Sequence, residues 1–231
     1  MKYFTFGMKT LRITQNYNEG NHLPHWKAST NYSDFPIDIA GADGGQDIYY
    51  ATVDMKVTAI RGTKQGYTNT IWLVATENCI SPIGETKPFI ALTHWNDNDP
   101  YVTKLKVGDI VKEGSPICME GSSGATANHI HFVCGDGNKG IGDNVLLNSN
   151  NKWVSNGYCY HPEKIMFINT KFTNIKDSRS VSFQTVEIDE KEENDYLKAS
   201  IKVYQNHNNL DESGLIDTNT LNKMKSDGIV V

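Results

Sequence analysis

From residue 1 to residue 168 the chain shows no apolar pattern of helical period. Its hydrophobic residues come in short runs broken by Gly, Asn and Asp. Residues 35–40, 53–60, 70–75 and 89–93 are runs of this kind, rich in β-branched and aromatic side chains. A chain divided this way offers no stripe by which a helix could pack. It can bury short strands, and many short strands joined by turns close into a sandwich or a barrel-like sheet. The first 168 residues are therefore expected to form a mainly β domain, an antiparallel sheet of barrel-sandwich type.

Beyond that point the pattern changes. Residues 139–157 are polar and Asn/Gly-rich and read as a long loop, and Tyr158 to Ile168 as a closing strand or turn. Residues 169–189 are rich in Thr, Ser and Asp and read as a linker. The acidic run from Glu187 to Asp195 reads as a solvated helix start or part of that linker. In residues 190–231, Leu197, Ile201, Tyr204 and Gln205, and later Leu221 and Met224, recur at helical spacing. A small helix–loop–helix appendage is expected there.

A net charge of −5 argues against nucleic acid or an anionic membrane as partner, since either would favour a basic face. No run of 18 apolar residues is present, so membrane insertion is not expected. The first residues lack an apolar signal core, so the chain is expected to be made in the cytoplasm without a signal peptide. Cys79, Cys118, Cys134 and Cys159 are widely spaced and read as free, partly buried thiols rather than a disulfide frame.

The chemistry concentrates in His129-Ile130-His131-Phe132, which follows the small-residue run from Gly121 to Asn128. On a strand, His129 and His131 share a face while Ile130 and Phe132 point into a core. Neutral imidazole is a common zinc ligand, and it also transfers protons near neutral pH. Two imidazoles on one rigid element can divide these tasks. Two surface histidines on an edge strand would be the bland alternative.

An ordered set of pieces across residues 8–168 resembles the lysostaphin-type zinc endopeptidases, which cleave the peptide part of bacterial peptidoglycan. Residues 11–17 resemble the opening strand of that family, and residues 35–41 the strand bearing its metal-binding aspartate. Residues 91–94 resemble the segment with its isolated active-site histidine. The turn Val107-Gly108-Asp109 follows, and then the Gly/Ser turn and the His-x-His strand. The resemblance implies one zinc per chain, with Asp38 and His131 as ligands, and His94 and His129 flanking the attacking water and the scissile carbonyl. The usual first ligand is a histidine four residues before the aspartate, where this chain has Asp34. Three candidates compete for that role. His25 would reach in from a longer loop stiffened by Pro24 and Trp26, His22 would do so from three residues further back, and Asp34 would bind directly because zinc accepts carboxylates. His25 is preferred, since nitrogen donors suit zinc. His161, beside Pro162, is read as structural.

The tail resembles the second half of a peptidoglycan-binding helical repeat, through Ile201 to Gln205 and Asn209 to Leu221. It would be a truncated wall-binding unit, or a helix pair for self-association or docking on a phage tail. The resemblance implies a peptidoglycan hydrolase, a phage or prophage lysin that reaches the cell wall by holin release or on the phage particle. The competing reading is a non-catalytic wall-binding or phage-tail module of the same fold. A lipoyl or biotinyl carrier is excluded, because no lysine lies in a suitable tight hairpin.

Overall fold

The computed structural model describes residues 1–16, 19–22, 35–62, 68–141, 146–147, 153–154, 158–176 and 182–188, and, further on, 201–227 without 203, 207, 212 and 214. The chain divides into two units, Met1–Val186 and Glu187–Val231.

In the first unit the short apolar runs become short strands. These are β1 (Thr10–Gln15), β2 (Ile37–Ala40), β3 (Ile48–Tyr50), β4 (Met55–Arg61), β5 (Thr70–Ala75), β6 (Cys79–Ser81), β7 (Gly84–Thr86) and β8 (Pro88–Thr93). They continue as β9 (Ile110–Val111), β10 (Pro116–Met119), β11 (Ile130–Asp136), β12 (Leu146–Leu147), β13 (Trp153–Val154) and β14 (Cys159–Tyr160). One turn of helix, α1 (Pro162–Ile165), precedes β15 (Ile168–Asn169), β16 (Asn174–Ile175) and β17 (Thr185–Val186). The domain is mainly β, as expected, although among the described residues the sheet does not close into a barrel.

The main sheet runs β16-β1-β2-β11-β8-β5-β4-β9, with β14 also paired to β11. Its pairs are antiparallel except β1 with β16, which makes the sheet mixed. Alternation along the central strands sorts side chains between two apolar layers. Ile71 and Leu73 of β5, Ile90 and Leu92 of β8, and Ile130 and Phe132 of β11 enter the main core. Trp72, Val74, Phe89, Ala91 and Val133, at the intervening positions, form a smaller cluster on the opposite face. Strands covered on both sides can be buried throughout, as β5 is, with Ile71 to Ala75 all apolar. His131 lies on the face of the smaller cluster, two positions before Val133.

The segment read as a linker is corrected in part. Its described residues include β16, which extends β1 at the sheet edge, and β17, which pairs in parallel with β15. Thr173 is buried and donates to the Met8 carbonyl at 2.8 Å. Polar composition misled the reading, because edge strands tolerate polar side chains on their exposed face. All four cysteines are free and buried.

In the second unit, residues 201–202 and 204–206 are helical, and α2 spans Thr218–Ser226. Asp217 caps α2 by accepting from the Thr220 N–H at 2.7 Å. The fully buried Gln205 amide donates to the Leu215 carbonyl at 2.8 Å and to the Thr220 hydroxyl at 2.9 Å. Among the described residues no helix is long and apolar enough to cross a membrane.

Candidate metal centre

Strand register assembles the site. Asp38 on β2 lies directly opposite His131 on β11, and His131 lies opposite Thr93, the last residue of β8. His94 follows Thr93. His129 lies just before β11, held by an isolated antiparallel bridge to Gly121. His22 closes the short 3₁₀ turn Gly20–His22 after β1, the neighbour of β2. Residues 22, 38, 94, 129 and 131 thus meet although they are far apart in sequence.

Three donor atoms face one point. His131 Nδ1 is 3.1 Å from Asp38 Oδ1, His22 Nε2 is 3.3 Å from the same oxygen, and the two ring nitrogens are 3.2 Å apart. Zinc bonds nitrogen and oxygen at about 2.0–2.1 Å, and a tetrahedral shell of that radius spaces its ligand atoms roughly 3.3 Å apart. The triangle matches one face of such a tetrahedron. Among the described residues this is the one group of three or more His, Cys, Asp or Glu side chains close enough to share an ion. His25 and Asp34, two of the three sequence candidates for the first ligand, lie outside the described residues.

Outer hydrogen bonds set the imidazole tautomers. His22, whose side chain is 4% exposed, puts Nδ1 3.0 Å from the Asn16 carbonyl. A carbonyl can only accept, so Nδ1 carries the proton and Nε2 presents a lone pair to the triangle. His94 Nδ1 is 2.7 Å from the Ser123 carbonyl, and His129 Nδ1 is 2.9 Å from the Ala127 carbonyl. Both rings therefore keep Nε2 as an acceptor. His129 Nε2 lies 3.6 Å from Asp38 Oδ1, and the His94 and His129 rings are 4.6 Å apart between centroids. Burial pushes the Asp38 carboxyl up, but the facing His131 and His22 nitrogens, where they carry protons and no ion lies between them, outweigh it and hold it well below the usual carboxylate range. Burial lowers the His94 pKa to about 4, with the Ser123 carbonyl opposing. Converging lone pairs on one carboxylate and two imidazoles repel one another unless a positive charge lies among them.

The His94 backbone is strained, with φ at +82°. A non-glycine residue held in such a conformation costs about 1–3 kcal/mol, which the surroundings must supply. Gly121 packs against it: a Cβ there would come within 2.3 Å of the His94 carbonyl oxygen and 2.8 Å of the Asn96 nitrogen. The glycine that opens the Gly/Ser run is thus required by a close backbone approach.

Sequence reasoning missed the supporting groups, Asn16, Asn69, Ser123 and Glu120. The carbonyls of Asn16, Ser123 and Ala127 act through main chain, which leaves no mark on residue type. Glu120 carried a weak signal, being a charged residue at the end of an apolar strand run. It is 1% exposed, and Oε1 accepts the N–H of Gly41, three residues after Asp38. Its Oε2 has no hydrogen-bond partner among the described residues. Burial raises its pKa from 4.5 to about 7; the Gly41 N–H opposes this and the Asp47 carboxylate adds to it.

A raised carboxyl pKa means that the folded state holds the proton more tightly than the unfolded state. Glu120 therefore withdraws stability as the pH climbs from about 4.5 through 7. Glu120→Gln carries no charge to bury. Relative to the parent it should gain about 1–2 kcal/mol between pH 5 and pH 8, after allowance for solvent screening. Thermal melts of both proteins across that range test this, and a Tm difference independent of pH would contradict it.

No protein-family model matches this chain, and no curated protein does. Among solved structures the chain is similar to LytU, with 19% identity and a TM-score of 0.38 over 71% of this chain and 84% of that one. It is also similar to Helicobacter pylori Csd3, with 16% identity and a TM-score of 0.38 in a hexagonal crystal, and 17% and 0.39 in an orthorhombic one. Each Csd3 alignment covers 95% of this chain, which spans 44% and 46% of the Csd3 chain in the two crystals. Similarity this loose assigns no residue roles.

Proposed function

We propose that this chain is a zinc-dependent endopeptidase that hydrolyses peptide bonds of bacterial peptidoglycan. The observation that carries this reading is the inward-facing triangle of His22, Asp38 and His131, with donor separations of 3.1–3.3 Å. The two further imidazoles beside it, and the motif order that resembles the lysostaphin-type enzymes, supply the reaction class. His22 is the proposed first ligand, since its Nε2 completes the triangle.

A zinc ion held by these three residues would supply Lewis acidity, which lowers the pKa of an attacking water and polarises an amide carbonyl. Three protein ligands leave a fourth position open for that purpose. The chain's own groups handle the protons. With Nδ1 tied to main-chain carbonyls, His94 and His129 each offer an Nε2 lone pair; His129 Nε2 lies 3.6 Å from Asp38 Oδ1, and the His94 ring is 5.9 Å from the His131 ring between centroids. One accepts the water's proton. The resulting imidazolium then protonates the departing amine; the other imidazole can hold the carbonyl oxygen as charge builds on it only in its imidazolium form, with a proton on Nε2 as well. The fixed tautomers remove a reorientation step before each transfer. The bacterial cell wall is the proposed place of action.

The test uses the full chain and purified sacculi. Metal analysis should find one zinc per chain. Zinc-loaded protein should release new amino groups from sacculi, a chelator should stop the release, and added zinc should restore it. Zinc-loaded protein that sediments with sacculi but frees no amines would overturn the enzymatic reading and leave a wall-binding module.

A further inference from the structure

His94 is the site imidazole with the least favourable backbone, and the residues that follow it are tied to one buried amide. Thr70 of β5 lies opposite Thr93 of β8, so the residue before the one meets the residue after the other. The Asn69 carbonyl accordingly accepts the His94 N–H at 2.8 Å. The Asn69 side chain, fully buried, reaches further along the same segment. Its Nδ2 donates to the Trp95 carbonyl at 2.7 Å and to the Asp97 carboxylate at 2.8 Å. Asn69 therefore holds residues 94, 95 and 97 at once, across a backbone turned to φ +82° at His94.

The opposite side of His94 is held by one stretch of the Gly/Ser turn. The Ser123 N–H donates to the His94 carbonyl at 3.1 Å, and the Ser123 carbonyl accepts from the ring at 2.7 Å. Asn69 has no part in these bonds. It supplies the counter-hold that keeps the segment from relaxing to an ordinary φ, a relaxation that would swing the ring off Ser123.

We infer that Asn69 is a positioning residue for His94, fixing its backbone so that the ring keeps its Nδ1–H on Ser123 and its Nε2 on the metal side. The inference rests on His94 as a proton-transfer group of the proposed endopeptidase. The chemistry of the amide is specific. Both Nδ2 hydrogens are used, whereas aspartate has no hydrogen to donate and would set a second carboxylate against Asp97. The consequence is kinetic, since a displaced imidazole loses alignment with the reacting atoms while the metal triangle, on other strands, is untouched.

The full chain carrying Asn69→Ala should bind zinc as the parent does and release amines from sacculi about 10- to 100-fold more slowly. In a His94→Ala background the same change should have no further effect on the residual rate, because the residue it acts through is gone. A purely structural role would lower the rate in both backgrounds, and that additive result would overturn the inference, as would loss of zinc or an unchanged rate. A second readout needs no activity: histidine side-chain nitrogen resonances report the tautomer of His94. The parent should show one Nδ1–H species and Asn69→Ala a mixture; a mixture supports the inference and an unchanged spectrum overturns it. Should zinc-loaded parent protein free no amines, the endopeptidase reading falls and the tautomer comparison alone decides the role of Asn69. Asp97→Ala, at an exposed position, removes one of the two amide bonds. It should show the same non-additivity at smaller size, and so keeps the test open if Asn69→Ala does not fold.

Discussion

Replacing His22 by alanine should release the zinc, whereas replacing His25 should not. His22 contributes one of the three donor atoms, with its tautomer fixed by the Asn16 carbonyl. Apparent zinc affinities of full protein sites amount to about 10–16 kcal/mol, so one ligand of a small set is worth several kcal/mol. Zinc affinity of His22→Ala should therefore fall at least about 10²–10³-fold, and turnover on sacculi with it. Asp38→Ala and His131→Ala should behave alike, because each removes a corner of the same triangle. Competition with a chromogenic chelator measures the affinity. Added zinc should also raise the Tm of the parent protein and leave that of the variants nearly unchanged, since an ion that binds only the folded state stabilises it by an amount that grows with the logarithm of its free concentration over its Kd. Affinity should decline as pH falls, because protons compete for the imidazole donors. If His25→Ala loses the metal and His22→Ala keeps it, the ligand assignment drawn from the triangle is wrong.

The second large effect separates chemistry from metal binding. His94→Ala and His129→Ala should retain zinc and lose about 10²–10⁴ in turnover, the usual contribution of a positioned proton-transfer group. Neither Nε2 belongs to the three-atom triangle, though His129 Nε2 lies 3.6 Å from Asp38 Oδ1. Undiminished hydrolysis in both variants would remove the catalytic assignment. Loss of zinc in His129→Ala would mean that His129 rather than His131 is the ligand. His94 allows a further check on strain. Glycine accepts φ +82° at no steric cost while alanine does not, so His94→Gly should melt higher than His94→Ala, by the equivalent of about 1 kcal/mol, although both are inactive.

What could be read from the sequence depended on how local the cause was. The apolar runs at 70–75 and 89–93 announced strands because β-branched and aromatic side chains favour extended backbone, and β5 and β8 occupy them. The His-x-His spacing carried a real geometric content, since alternation on β11 places Ile130 and Phe132 in the core and His131 on the other face. The reading placed His129 on the strand as well, whereas the strand starts one residue later and a bridge to Gly121 holds His129. Composition was a poor guide at 169–189, where β16 and β17 pair through main-chain groups that polar side chains do not disclose.

By itself the sequence determined that the first unit is mainly β and that the C-terminal part has helical period, because propensity and alternation are properties of residues and their spacing; Asp38 and His94 were pointed to only through the family resemblance. Only the tertiary structure brings His22 beside Asp38 and His131, since that depends on where the turn after β1 delivers it relative to the register of β2 and β11. It alone decided the tautomers, set by the carbonyls of Asn16, Ser123 and Ala127, and the hold of Asn69 on the strained segment at His94. Every peptide unit carries the same carbonyl, so the position of an acceptor is information that only the folded backbone contains.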